Sequence, residues 1–187
     1  MTVKEFLDYL SQELNRSPRT VISYAEDLYA FEAYFLDKDE GLTWETIDTD
    51  IIRDWMESMV DKGNSPSSVA RRLSAVKGFF KFALAREFIS SDPAHAIRSP
   101  KRSRPLPQFL KENEINDLLD KQAWGDGFKG LRDRLIIMMF YETGVRLAEL
   151  VGMDDEAVNL AGQFIKVTGK GDKQRVIPFG NELKSMI

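Results

Sequence analysis

Helical periodicity with marked starting points constrains this chain more than any other feature. Ser17-Pro18 sets a capping hydroxyl before a first-turn proline, and Val21, Tyr24, Leu28, Phe31 and Phe35 follow at threes and fours. Ser65-Pro66 repeats the signal ahead of a helix that ends near Glu87. A capping-box pair, Thr2 and Glu5, opens an earlier helix running to about Leu14. A further helix follows Thr49 through Ile51, Ile52, Trp55, Met56 and Met59 until Gly63 ends it. These stretches predict a four-helix domain over residues 1–97.

From 98 to 108 the chain is basic, punctuated by proline and without period, the pattern of an interdomain linker. Residues 109–187 then read as a second domain. Helices are expected at 111–121 and 130–143, the latter so apolar through 135–140 that it reads as a buried central helix, with Tyr141 in the core and too few partners in this stretch to cover it on all sides, before Gly144 stops it. Phe164–Thr168 and Gln174–Pro178 alternate as strands around Gly169-Lys170-Gly171-Asp172, a hairpin signal, and another helix begins at Asn181. The fold class is therefore mainly α, with a small antiparallel sheet in a second, α+β domain that reads as incomplete.

Composition excludes several chemistries. With no cysteine and one histidine, a Cys/His zinc site, a disulfide and a cysteine nucleophile are all ruled out, and the expectation is no metal and no cofactor. No basic segment leads into an apolar one at the start, and no apolar run reaches the roughly 18 residues of a membrane span. A soluble, cytoplasmic protein with no membrane partner is expected. The net charge of −4 conceals a strong segregation: residues 1–61 carry 5 basic and 15 acidic side chains, 62–104 carry 10 and 2, and 105–187 carry 11 and 13.

The basic segment has a pattern of its own. On the 66–87 helix, Val69, Leu73, Val76, Phe80, Ala83 and Leu84 gather on one side as core, joined by Phe79, while Phe82 fits either side. Opposite them lie Ser67, Arg71, Ser74, Gly78 and Lys81, with Lys77 flanking. Small residues between cations allow close approach to a phosphate backbone, and Lys101, Arg102 and Arg104 extend the positive charge into an arm able to follow a groove. Nucleic acid is the partner this pattern favours, set against an ordinary solvated helix face.

Two further features suggest phosphate chemistry. In Thr143-Gly144-Val145-Arg146, Gly144 ends one helix and Arg146 starts the next, where a planar guanidinium can grip a phosphate; pairing with Glu142 or Glu149 is the equal alternative. Lys170, at the tip of a Gly-flanked hairpin, is placed either to donate a proton to a leaving alkoxide or simply to be solvated.

At these residues the sequence resembles the tyrosine recombinases, in particular the Xer-type resolvases and the phage and transposon integrases. The resemblance runs through Ser17, Thr20, Tyr24 and Phe31, the segment 72–82, Asp92-Pro93, Pro100-Lys101, Leu106-Pro107, the block 143–150 and the segment 167–178. It implies a SAM-like core-binding domain that clamps DNA together with the start of a catalytic domain. By the same resemblance Arg146 neutralises the scissile phosphate and Lys170 protonates the leaving hydroxyl, with Lys173 and Arg175 as auxiliary phosphate contacts or plain solvated charges. The family's His-x-x-Arg helix and its nucleophilic tyrosine lie downstream of such a hairpin, and all five tyrosines here precede Lys170. His95, before the linker, matches neither catalytic histidine and reads as a capping or packing residue. Lys111 stands where relatives carry a capping hydroxyl, so that helix start is expected to fray.

The expectation is thus a DNA-binding part of a site-specific recombinase, inactive by itself, whose intact form works as a tetramer on two DNA sites. Two other readings stand beside it: a non-catalytic DNA-binding regulator of recombination sites, and a helical protein-interaction module.

Overall fold

The computed structural model describes residues 1–101, 106–121, 124–125, 127–169 and 171–187, with Lys121 described in its backbone only. The chain divides into two compact units, Met1–Leu106 and Pro107–Ile187.

In the first unit, helix α1 (Val3–Asp8) starts at Thr2, whose hydroxyl accepts from the Glu5 amide at 3.3 Å while the Glu5 carboxylate accepts from the Thr2 amide at 2.7 Å. It runs on into a π-helical turn, Tyr9–Glu13. Helices α2 (Pro18–Lys38) and α4 (Pro66–Ala85) begin at the two Ser-Pro pairs, where Ser17 and Ser65 accept from the amides of Thr20 and Ser68. Helix α3 (Thr49–Asp61) is capped by Asp48, which frees Thr49 to donate its hydroxyl to the Pro93 carbonyl at 2.8 Å.

Helix α4 is the centre of this unit, because α1, α2 and α3 all pack against it. Its burial is correspondingly wider than one apolar side: Ala70, Ala75, Phe79 and Phe82 are buried with Val69, Leu73, Val76, Phe80 and Ala83, whereas Leu84 is exposed. Trp44 and Phe79 stand 4.3 Å apart between ring centroids, Phe6 meets Phe79 edge-on at 5.6 Å, and the indole N–H of Trp44 donates to Glu32 at 2.7 Å. Each such fully buried ring contributes roughly 2–3 kcal/mol from removal of its surface from water. Gly78 belongs to this packing rather than to the solvent stripe, since a Cβ there would lie 3.3 Å from the Phe6 ring and 3.6 Å from the Tyr24 ring. His95 is exposed, so it is not a packing residue.

The second unit contains α5 (Glu112–Lys121), α6 (Phe128–Thr143), the short α7 (Leu147–Val151), a three-stranded antiparallel sheet and α8 (Asn181–Met186). The sheet order is β1 (Val158–Asn159), β2 (Phe164–Thr168), β3 (Gln174–Pro178), and the register sets Ile165 opposite Ile177 and Val167 opposite Arg175. Strand β1, two residues long, is too short to leave a period in the sequence. Ile165 and Val167 point inward to meet Ile115, Leu119, Met138, Met139, Val145, Phe179 and Leu183, while Lys166 and Thr168 face out. At the start of α5 the Glu114 carboxylate accepts from the Lys111 amide at 2.7 Å, the half of a capping box that needs no hydroxyl at 111.

Helix α6 departs from its expected burial. Gly130, Met138, Met139 and Thr143 are buried, but Phe128, Leu131, Ile136 and Tyr141 are exposed, Tyr141 by 47%. Within this unit α5 and α8 pack on α6, and the exposed residues mark the part of its apolar surface left uncovered.

Candidate nucleic-acid interface and phosphate site

Of the α4 stripe, Ser67, Arg71, Ser74 and Lys81 are exposed and Lys77 is half-buried. Their partners differ. Arg71 donates from Nη1 and Nη2 to the two carboxylate oxygens of Asp27 at 2.5 and 2.7 Å, and from Nη1 to the Ser23 hydroxyl at 2.7 Å. Asp27 is 3% exposed, and Arg72 lies 3.8 Å from it. The pair fastens α2 to α4, and 49% of the Arg71 side chain still faces solvent. Lys77 donates to the Ile97 carbonyl at 2.5 Å and the Ser74 hydroxyl to the Ala70 carbonyl at 2.8 Å. Lys81 and Lys101 are exposed with no hydrogen bond or ion pair among the described residues. Arg102 and Arg104 lie outside the described residues.

In the second unit, Gly144 takes the left-handed conformation (φ 59°) that closes α6 and turns the chain into α7. Val145 is buried, and Arg146 follows as the residue before α7. Of its two candidate partners Arg146 takes Glu149: its amide donates to Oε2 at 2.8 Å and its Nη1 to Oε1 at 2.9 Å. Glu142 instead accepts from the Gly180 amide. The contact leaves 72% of the Arg146 side chain exposed, so the guanidinium is anchored at one corner with its remaining edge open.

Arg175, on β3, donates from Nη1 and Nη2 to the two oxygens of the same carboxylate at 2.5 and 2.7 Å. Glu149 therefore sits buried between two arginines. Chiefly the Arg175 hydrogen bonds, then the Arg146 amide, hold its carboxyl down at about 2, against the opposing effect of burial. The Arg175 guanidinium is shifted upward by the same contact. Lys173 is exposed without a partner among the described residues, and Lys170 lies outside them. Among the described residues there is no group of His, Asp or Glu fit to hold a metal ion, and no helix is long and apolar enough to cross a membrane.

Comparison with known proteins agrees with this architecture. The family model for the phage integrase N-terminal SAM-like domain matches residues 3–87, and that for the phage integrase family matches 108–187. The chain belongs to the tyrosine recombinase family. Among curated tyrosine recombinases, one named XerC from Mycobacterium sp. (strain KMS) is 37% identical over 179 residues, 94% of this chain and 59% of that protein. One named XerD from Staphylococcus haemolyticus is 34% identical, over 96% of this chain and 60% of that protein. The chain thus spans about three-fifths of the length of the curated recombinases it matches. Two solved structures share its fold. A Tn1549 transposon integrase in complex with transposon right end DNA superposes at a TM-score of 0.74 with 18% identity, covering 100% of this chain and 63% of that one. A lambda integrase dimer bound to a core site gives 0.67 with 22% identity, covering 100% and 67%.

In this tyrosine recombinase chain the sequence reading missed the acids that hold the cations. Asp27 carried a usable signal, because it falls on the apolar side of α2 beside Tyr24, Leu28 and Phe31, where an unpaired carboxylate is costly. For Glu149 the reading named the contact with Arg146 as an alternative, but nothing local pointed to Arg175.

Proposed function

We propose that residues 1–187 form the DNA-clamping and phosphate-binding part of a site-specific recombinase. Residues 1–97 are the half that lies on duplex DNA through the α4 stripe, 98–108 the linker, and 109–187 the start of the catalytic domain. In the intact enzyme a tyrosine attacks a phosphodiester, Arg146 neutralises charge on the scissile phosphate, and Lys170 protonates the leaving hydroxyl. Strand exchange takes place within a tetramer on two duplex sites.

One observation carries the reading: Arg146 presents an open guanidinium edge from a turn that a buried carboxylate fixes in place. A permanently charged fork held in one orientation is suited to two oxygens of a phosphate. Lys81 and Lys101 in the first unit, and Lys173 in the second, have exposed side chains that are unpaired among the described residues, as contacts to a sugar-phosphate chain require.

The test uses Lys81, whose charge can be reversed without breaking any described contact. Lys81→Glu is expected to weaken binding to duplexes of unrelated sequence alike, by roughly three- to tenfold, and to lower the salt slope by about one. Its thermal melting should match the parent. Absence of salt-sensitive binding by the parent chain to any duplex would defeat the DNA reading and favour a protein-interaction module, and a Lys81→Glu gel shift identical to the parent's would remove the α4 stripe from the interface.

A further inference from the structure

We propose that Arg175 is a positioning residue for Arg146, acting through Glu149, and not itself a phosphate contact. The inference rests on the reading of Arg146 as the phosphate ligand and goes beyond it. Both terminal nitrogens of Arg175 are directed at Glu149, and both Glu149 oxygens receive them, so the fork that would grip a phosphate is already occupied. The two oxygens that Arg175 holds are the ones that fix the Arg146 amide and guanidinium. Removing Arg175 would leave the carboxylate free to rotate, and with it the only described side-chain anchor of Arg146.

The surroundings are built for this clip. Arg175 pairs in register with the buried Val167 on β2, which fixes where its side chain leaves the sheet. At Gly169, just past β2, a Cβ would stand 3.0 Å from Glu149 Oε1 and 3.5 Å from Arg175 Nη1, so the absence of a side chain leaves room for the pair. The Gly169 amide donates to the Lys173 carbonyl at 2.8 Å, which closes the segment joining β2 to β3. Arg175 thereby ties α7, which follows Arg146, to the hairpin whose connecting sequence contains Lys170. A lysine cannot take its place, because an ammonium offers one point of charge where the carboxylate is met at both oxygens.

Two measurements on the full 187-residue chain test the proposal. The first reads Arg146 without DNA, through its guanidinium Nε–H signal in nitrogen-15 NMR, assigned by its loss in Arg146→Ala. Arg175→Ala should shift or broaden that signal, and Arg175→Lys should do so despite keeping the charge and the fold. An unchanged Arg146 signal in both variants overturns the proposal. The second is a double-mutant cycle in binding to a 30-base-pair duplex at low salt. Arg175→Ala should weaken binding about tenfold when Arg146 is present and have little further effect in Arg146→Ala. An equal loss in both backgrounds identifies Arg175 as an independent phosphate contact and overturns the positioning role. If Arg146→Ala itself leaves duplex binding unchanged, the phosphate-ligand reading of Arg146 fails, while the NMR result still decides whether Arg175 positions it.

Discussion

Arg71→Glu is expected to lower the melting temperature of the Met1–Leu106 unit by more than ten degrees, not merely to weaken DNA binding. The cause lies beneath the helix face. Asp27 is almost wholly buried, and its two oxygens are satisfied by the two terminal nitrogens of Arg71. A glutamate at 71 removes both charge-assisted bonds and brings a second carboxylate beside the first. Breaking a fully buried pair costs about 3–5 kcal/mol; half of the Arg71 side chain faces solvent, which screens the change, so the low end applies, about 3 kcal/mol. For a unit of this size that corresponds to a fall of roughly 12–20 °C. Trp44 and Trp55 are both in this unit's core and report its melting by fluorescence. Lys81→Glu, ten residues along the same stripe, should melt with the parent. A melting temperature for Arg71→Glu within about 2 °C of the parent would show that the Asp27 contact does not support the fold. The contrast also sets a rule for mapping this surface: loss of DNA binding in an Arg71 variant identifies a contact only if the unit is still folded.

This pairing marks the boundary of what the amino-acid sequence discloses. The starts of α1, α2 and α4 were readable because the capping side chain and the amide it serves are three residues apart. Both strands of the hairpin were readable because alternation is complete within five residues. The Asp27–Arg71 and Glu149–Arg175 pairs span 44 and 26 residues, and no local pattern couples such positions. The wheel for α4 succeeded in separating a solvent stripe from a core, yet it underestimated the core, because three neighbouring helices instead of one pack on α4. It also assigned Gly78 to the stripe, where the reason for glycine is the approach of the Phe6 and Tyr24 rings. For α6 the shortage of covering partners was legible, but not which residues it would leave open: Tyr141, expected in the core, is exposed. The turn that presents Arg146 was legible, and its partner was among the named alternatives; Arg175 was legible only as a charge.

Glu149→Gln should produce the larger effect of any change in the second unit, because one carboxylate serves two arginines. The amide still offers an acceptor to the Arg146 backbone, but its NH2 group faces a guanidinium, and the charge that draws both arginines inward is gone. Duplex affinity should fall by more than tenfold, exceeding the loss in Arg175→Ala, since the charged anchor of Arg146 is removed outright and not merely loosened. Acid offers an independent check on the same group. The Glu149 carboxyl is held at about 2, below its ordinary 4.5, so the folded state favours the ionised form. Its contribution to stability is therefore complete above pH 4.5 and is lost progressively as pH falls from there towards about 2. Arg146 and Arg175 are the charged groups that face it in the described structure, so the group titrating there in this window is the carboxyl. The difference in stability between parent and Glu149→Gln should accordingly be constant from neutral pH down to about 4.5 and shrink below it. A difference that stays flat to pH 2.5 would mean that Glu149 carries no special charge in the folded chain, and the anchoring of Arg146 would then need another cause.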